Sequence, residues 1–274
     1  MNINNIITEI EKIDPEVQGR LDTRRRAMKN FAKFSGKVAL ASLPIALGTM
    51  FKKSYGQTPA SVIDVLNFAL TLEYLESNFY IKGVAAPGLI PAGPGLTAIT
   101  TIRDHEAAHV NFLRTAITAS GGTPVSFTAD SFDFTAKGTF ADVFSNYDTF
   151  LAVSQALEDT GVRAYKGQAP NLMSNNDVLT AALNIHSVEA RHAAHIRQMR
   201  KARGADVKPW ITGKETGIGA AAQPNYNGEE VTTQAGVNIV NINGFTISAD
   251  AASEAFDEPL TKDQVTALVT PFFA

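Results

Sequence analysis

Cysteine is absent from the chain. That excludes disulfides, thiolate zinc sites and cysteine nucleophiles, and it leaves no redox-compartment signal. No apolar run is long enough to span a bilayer comfortably. The longest, Val38 to Met50, has thirteen residues and is interrupted by Pro44 and Gly48, which suits the hydrophobic region of a signal peptide better than a stable membrane span. Positive charge is scarce in the body of the chain. Ten of the 24 Lys and Arg but only five of the 27 Asp and Glu lie up to Gly56, leaving a net of −8 beyond it. A body of that sign is a poor match for nucleic acid, which needs clustered Lys and Arg, and attracts cations weakly.

What is present begins with an export-like segment, residues 1–56. Thr23-Arg24-Arg25-Arg26-Ala27-Met28-Lys29 resembles the twin-arginine translocation motif, with the short apolar run behind it. The expected cut follows Gly56, leaving no stable membrane span after processing; Thr58 and Ala60 allow a later one. Thr58-Pro59 reads as the N-cap and first position of a helix. The resemblance implies a periplasmic or other extracytoplasmic protein exported folded, with its cofactor loaded. The alternative is a basic amphipathic segment kept in the cytoplasm.

Residues 57–204 read as four long helices, at about 59–82, 96–119, 140–166 and 176–203, from apolar positions at helical spacing. Val62, Leu66, Ala69 and Leu72 carry the first stripe, and Ile99, Ile102, Val110 and Leu113 the second. A long connection, Val125 to Thr139, stands where a bundle crossover belongs; its Phe127, Phe132 and Phe134 are expected to pack along the bundle flank. Residues 205–274 form a Gly- and Asn-rich extension, expected to pack on the bundle or at a subunit contact of a homo-oligomer. Asn243-Gly244 signals a β-hairpin between 237–239 and 245–247, and Thr261 with Gln264 makes a capping box for a last short helix.

The chemistry-bearing residues repeat. Leu72-Glu73 is followed seven residues later by Tyr80, and Leu157-Glu158 by Tyr165. The second and fourth helices carry Glu106…His109 and Glu189…His192, each a carboxylate and an imidazole on one helix face. Two helix pairs of one plan can associate about a pseudo-twofold axis. Adjacent cations need carboxylates and a nitrogen each, a donor set that suits iron or manganese better than calcium. Without the ions, buried carboxylates so close would have to take up protons.

These motifs resemble those of the ferritin-like di-iron or di-manganese carboxylate proteins, over about Thr58 to Arg203. More narrowly, the chain looks like bacterial ferritin-like proteins that carry a twin-arginine signal, related to desiccation-associated proteins. The resemblance implies an all-α, ferritin-like four-helix bundle with a long crossover. It implies two Fe or two Mn ions, with Glu73 and Glu158 as terminal carboxylates, Glu106 and Glu189 as bridges, and His109 and His192 as one nitrogen ligand each. The implied activity is oxidation or peroxide chemistry with O2 or peroxide: ferroxidase, peroxidase or catalase-like, in stress protection. Non-catalytic metal binding and a metal-free structural envelope protein are the rival readings.

Neighbouring residues carry further expectations. Glu76 reads as a solvent- or pore-side carboxylate, with ligation the alternative. His186 either hydrogen-bonds a ligand or serves as a cap or surface residue. His105, adjacent to Glu106, is expected to point elsewhere, and His195 to lie on another face. Tyr80 and Tyr165 read as core aromatics, with a role in carrying oxidising equivalents the alternative. Arg163 is expected to pair with a carboxylate near the site, and Trp210 to anchor the tail.

Overall fold

The computed structural model describes residues 60–274; the export-like segment and the Thr58-Pro59 cap lie outside the described residues. Four long helices follow one another: α1 (Ala60–Ala85), α2 (Pro94–Ala119), α3 (Tyr147–Gln168) and α4 (Asn176–Ala202). α1 lies along α2 and α3 along α4, and the two pairs meet chiefly through α1 and α3. Short connections make each pair antiparallel. Among the described residues no helix is long and apolar enough to cross a membrane.

The helix ends follow local chemistry. α1 runs past Gly83, where a Cβ would lie 2.2 Å from Cε2 of Phe150. The glycine lets that ring close on the helix and stack on Phe79 at 4.8 Å. Pro94 opens α2 at its first turn, two residues before the expected start. α3 begins at Tyr147, not at Phe140. Ala136, Lys137 and Gly138 all take positive φ, around the Asp133 carboxylate that accepts from the amides of Thr135 and Lys137. Turns continue through Ser145, and the helix is entered at Asn146, whose side chain caps the amides of Asp148 and Thr149.

The crossover aromatics pack where expected. Phe134 reaches Phe79 at 5.7 Å, and Phe132 meets Phe273 at 5.1 Å. The chain end is bonded to the crossover as well, through Asp133 N–H to the Phe272 carbonyl (2.8 Å) and Ala274 N–H to the Ser131 carbonyl (3.0 Å).

The extension carries a small antiparallel hairpin, β1 (Thr233–Gln234) with β2 (Val237–Asn238). It turns at Ala235-Gly236, both at positive φ as a two-residue hairpin requires. The expected hairpin turn, Asn243-Gly244, does form with both residues at positive φ. It closes only a tight loop, from the Asn241 amide to the Ile247 carbonyl at 3.2 Å, and the flanking residues do not pair as strands. α5 (Ala249–Ser253) is capped by Ser248. α6 (Lys262–Val269) starts at the Thr261–Gln264 capping box.

Buried arginines on α3 and α4 hold this extension. Arg163 Nε lies 2.6 Å from Glu229 Oε1, and its guanidinium donates to the carbonyls of Asn225, Asn227 and Glu258. Arg197 pairs with Asp159 at 2.6 Å, and Asp159 also accepts from the Tyr226 hydroxyl at 2.7 Å. Arg163 is therefore engaged with the extension, not with a carboxylate of the expected site. Trp210 does not anchor the tail: its side chain is 51% exposed, while its carbonyl accepts from Arg197. The apolar anchor is Tyr226, packed with Ile211, Ile218 and Ala222.

Gly167 of α3 receives the tail backbone directly. A Cβ there would stand 1.9 Å from the Leu260 carbonyl oxygen, beside the Leu260 amide bond to the Arg163 carbonyl at 3.1 Å. Gly167→Ala is expected to push residues 258–262 off α3 and cost about 1–3 kcal/mol, as overpacking does. Thermal unfolding measures the loss, and limited proteolysis should show earlier cleavage in the extension.

Candidate metal centre

Helical spacing directs the key side chains into the middle of the bundle, where the α1–α2 and α3–α4 pairs face each other. Glu73, Glu106, Glu158 and Glu189 are fully buried, and His109 and His192 nearly so. Their ligating atoms form two groups, each within 4.8 Å: Glu73, Glu106, His109 and Glu189, and then Glu106, Glu158, Glu189 and His192. Glu106 and Glu189 belong to both. His109 Nδ1 lies 3.1 Å from Glu73 Oε2, 3.4 Å from Glu106 Oε2 and 3.1 Å from Glu189 Oε1. His192 Nδ1 lies 2.9 Å from Glu106 Oε1, 3.2 Å from Glu158 Oε2 and 3.5 Å from Glu189 Oε2. Each shared carboxylate thus turns one oxygen to each imidazole, and the two halves correspond as the sequence repeat implies.

The tyrosines of the repeat cross between the pairs. Tyr80 of α1 donates to Glu158 Oε1 on α3, and Tyr165 of α3 donates to Glu73 Oε1 on α1, both at 2.5 Å. They are core residues, but their hydroxyls occupy one oxygen of each outer carboxylate and leave the other facing the cluster. Burial, and then the Glu158 or Glu73 charge, raises both phenols well above their usual range.

The electrostatics are those of too many carboxylates in a dry space. Burial and the neighbouring charges of Glu189 and Glu73 raise Glu106 well above the carboxylate range. Burial works upward on Glu189 too, but the close imidazoles of His109 and His192 outweigh it and bring the carboxyl down to about 2. The opposite directions describe a coupled pair in which one carboxyl keeps a proton beside a charged partner. Burial lifts Glu158 to about 7 against the pull of His192. Burial favours neutral His192, yet the Glu158 charge and the surrounding carboxylates raise it to about 12. His109 rises likewise, burial being outweighed by Glu106, Glu189 and Glu73.

A pH dependence follows for the metal-free protein. Between about 4.5 and 7 folded Glu158 holds a proton that the unfolded chain releases, so stability falls as pH rises through that window. His192, raised to about 12, adds a loss of the same sign above its ordinary 6.5. Glu189, brought down to about 2, has its effect only at more acid pH. Chelator-treated protein should therefore melt at a higher temperature at pH 5 than at pH 7, with a smaller difference in Glu158→Gln.

Three residues stand differently from expectation. Glu76 is buried, not on a solvent or pore side; burial, then the charges of Glu189 and Glu158, raises its carboxyl well above the usual range. Gly161 makes the room, since a Cβ there would lie 3.2 Å from Glu76 Oε1. A glycine inside a helix, three residues after Glu158, was the sequence signal for that space. His105 does not point away from the site: its Nδ1 lies 3.0 Å from Nε2 of His192. Adjacency to Glu106 fixed its place on α2 but not what α4 brings against it. His186 makes no hydrogen bond to the carboxylates, and its Nε2 is buried without a partner among the described residues. His195 is exposed, on a groove between α2 and α4.

A bundle of two helix pairs around buried Glu and His groups is compatible with a metal centre in its core. A model of the ferritin-like domain family matches residues 61–202, just over half the chain, and the protein belongs to that family. No curated protein and no solved structure matches it.

Proposed function

We propose that this protein is a di-iron or di-manganese carboxylate protein that carries out oxidation or peroxide chemistry. The observation that carries the reading is a set of buried donor atoms lacking hydrogen-bond partners: both oxygens of Glu106 and of Glu189, Oε2 of Glu158 and Nδ1 of His192. Buried polar atoms are costly when unpaired, and these converge on the same two groups. Cations satisfy them together and remove the repulsion that keeps protons on the carboxyls.

In this reading Glu106 and Glu189 would serve both positions, Glu73 and His109 would complete one, and Glu158 and His192 the other. Bound there, the ions would supply the electrons that reduce O2 or peroxide. Tyr80 and Tyr165 hold Glu158 and Glu73 in place. Glu76 adds a further carboxyl beside Glu189 and Gly161, unused by either group.

Stress protection after twin-arginine export belongs to the same proposal, resting on the likeness of residues 23–29 to that signal. N-terminal sequencing of the exported protein tests it, with an intact Met1 in the cytoplasm the contrary result. Stopped-flow oxidation of added Fe(II) separates catalysis from metal holding. Wild type should oxidise Fe(II) in the presence of O2 or peroxide much faster than Glu106→Ala. Equal rates would leave only a metal-binding role.

A further inference from the structure

His192 faces two ways. Its Nδ1 looks into the carboxylates, 2.9 Å from Glu106 Oε1 and 3.2 Å from Glu158 Oε2. Its Nε2 looks outward and meets Nδ1 of His105 at 3.0 Å, with the two rings only 17° from parallel. Both histidines line an open groove of about 550 Å3 between α2 and α4, flanked by Arg191 and His195. The corresponding imidazole of the other half has no such support. His109 turns its Nδ1 to Glu73, Glu106 and Glu189, and among the described residues no hydrogen bond reaches its Nε2.

We propose that His105 is a positioning residue that makes the two metal positions unequal, by accepting the Nε2–H of His192 and so fixing Nδ1 as the metal-facing nitrogen. The proposal rests on the di-metal reading. An imidazole that gives Nδ1 to a cation keeps its proton on Nε2, and that proton needs an acceptor to hold the ring's orientation. A partner on the far nitrogen raises ligand basicity and selects the tautomer, and losing such a partner typically costs about 10–100-fold in metal affinity. His105 supplies one, from a different helix, to His192 alone. The sequence repeat therefore builds two similar half-sites, and one residue outside the repeat distinguishes them. The Glu158–His192 position is the tighter, and its ligand ring is also the one that borders the groove.

Titration of the metal-free full chain with Co(II), against a competing chelating dye, tests this without reference to activity. Wild type should take up two Co(II) in separable steps. His105→Phe, which keeps a ring but offers no acceptor, should weaken one step by roughly 10-fold and leave the other unchanged. His105→Asn, whose side-chain oxygen can accept the same proton, should recover most of the loss. His105 is exposed, so thermal unfolding of the metal-free variants should match wild type. Equal binding by His105→Phe and wild type overturns the inference. So does a similar weakening of both steps, or an Asn variant no better than Phe. Wild type that binds fewer than two Co(II) overturns the di-metal reading, and the inference with it.

Discussion

Glu189→Ala is expected to abolish stable binding at both metal positions, whereas Glu73→Ala should abolish it at one. The difference lies in reach. Glu189 sets Oε1 at 3.1 Å from His109 Nδ1 and Oε2 at 3.5 Å from His192 Nδ1, so each oxygen belongs to a different group. Glu73 contributes only to the group around His109, since its other oxygen accepts from Tyr165. Removing a partner that merely orients a ligand costs about 10–100-fold in affinity, and a direct ligand shared by two ions should cost at least roughly 100-fold at each. Metal analysis after gel filtration should therefore give two ions per chain for wild type, one for Glu73→Ala and close to none for Glu189→Ala. Far-UV circular dichroism should show the helices intact in all three. Equal losses in the two variants would contradict the bridging role.

Arg163→Ala is expected to produce the largest loss of stability away from the centre. Arg163 and Glu229 are both buried, 2.6 Å apart, and the same guanidinium satisfies three carbonyls of the extension. Alanine would leave the Glu229 carboxyl without its cation. Burial already raises that carboxyl to about 7 despite the opposing charge of Arg163, so without the arginine it should take up a proton at neutral pH. Breaking a buried pair from one side costs about 3–5 kcal/mol, which for a domain of this size is a fall in melting temperature of roughly 10 °C. Metal content should stay at two ions, because Arg163 contacts none of the clustered carboxylates. Arg163→Ala combined with Glu229→Gln should recover part of the loss, since the amide is neutral without having to take up a proton.

Much of the bundle and of the candidate site was legible in the chain. Helical stripes announced α1, α2 and α4, and the paired Glu-x-x-His motifs with Glu73 and Glu158 predicted residues that the fold brings within reach of one another. They were legible because each relation is local: three or seven residues along one helix determine which side chains share a face. The start of α3 was misread because its apolar pattern extends back to Phe140, while the chain keeps turning through Ser145 and meets its cap only at Asn146.

What stayed hidden was contact between elements. Glu76 lies one turn from Glu73, and its burial depends on what α3 brings against it, with Gly161 leaving space beside its carboxyl. Tyr80 and Tyr165 look like ordinary core aromatics until the crossing of α1 and α3 sets each hydroxyl on the other helix's glutamate. The extension offered almost no periodicity, so that Arg163 and Arg197 hold it down could not be read from spacing. The same holds for the Asn243-Gly244 turn, which forms locally but lacks flanking segments that pair.

Anomalous diffraction from crystals of the full chain grown with Mn(II) tests the di-metal reading most directly. Two peaks are predicted inside the bundle, about 3.5–4 Å apart as in paired-metal sites, with Glu106 and Glu189 touching both and His109 and His192 one each. No peak among these residues, or a single ion bound by only one of the two groups, would contradict it.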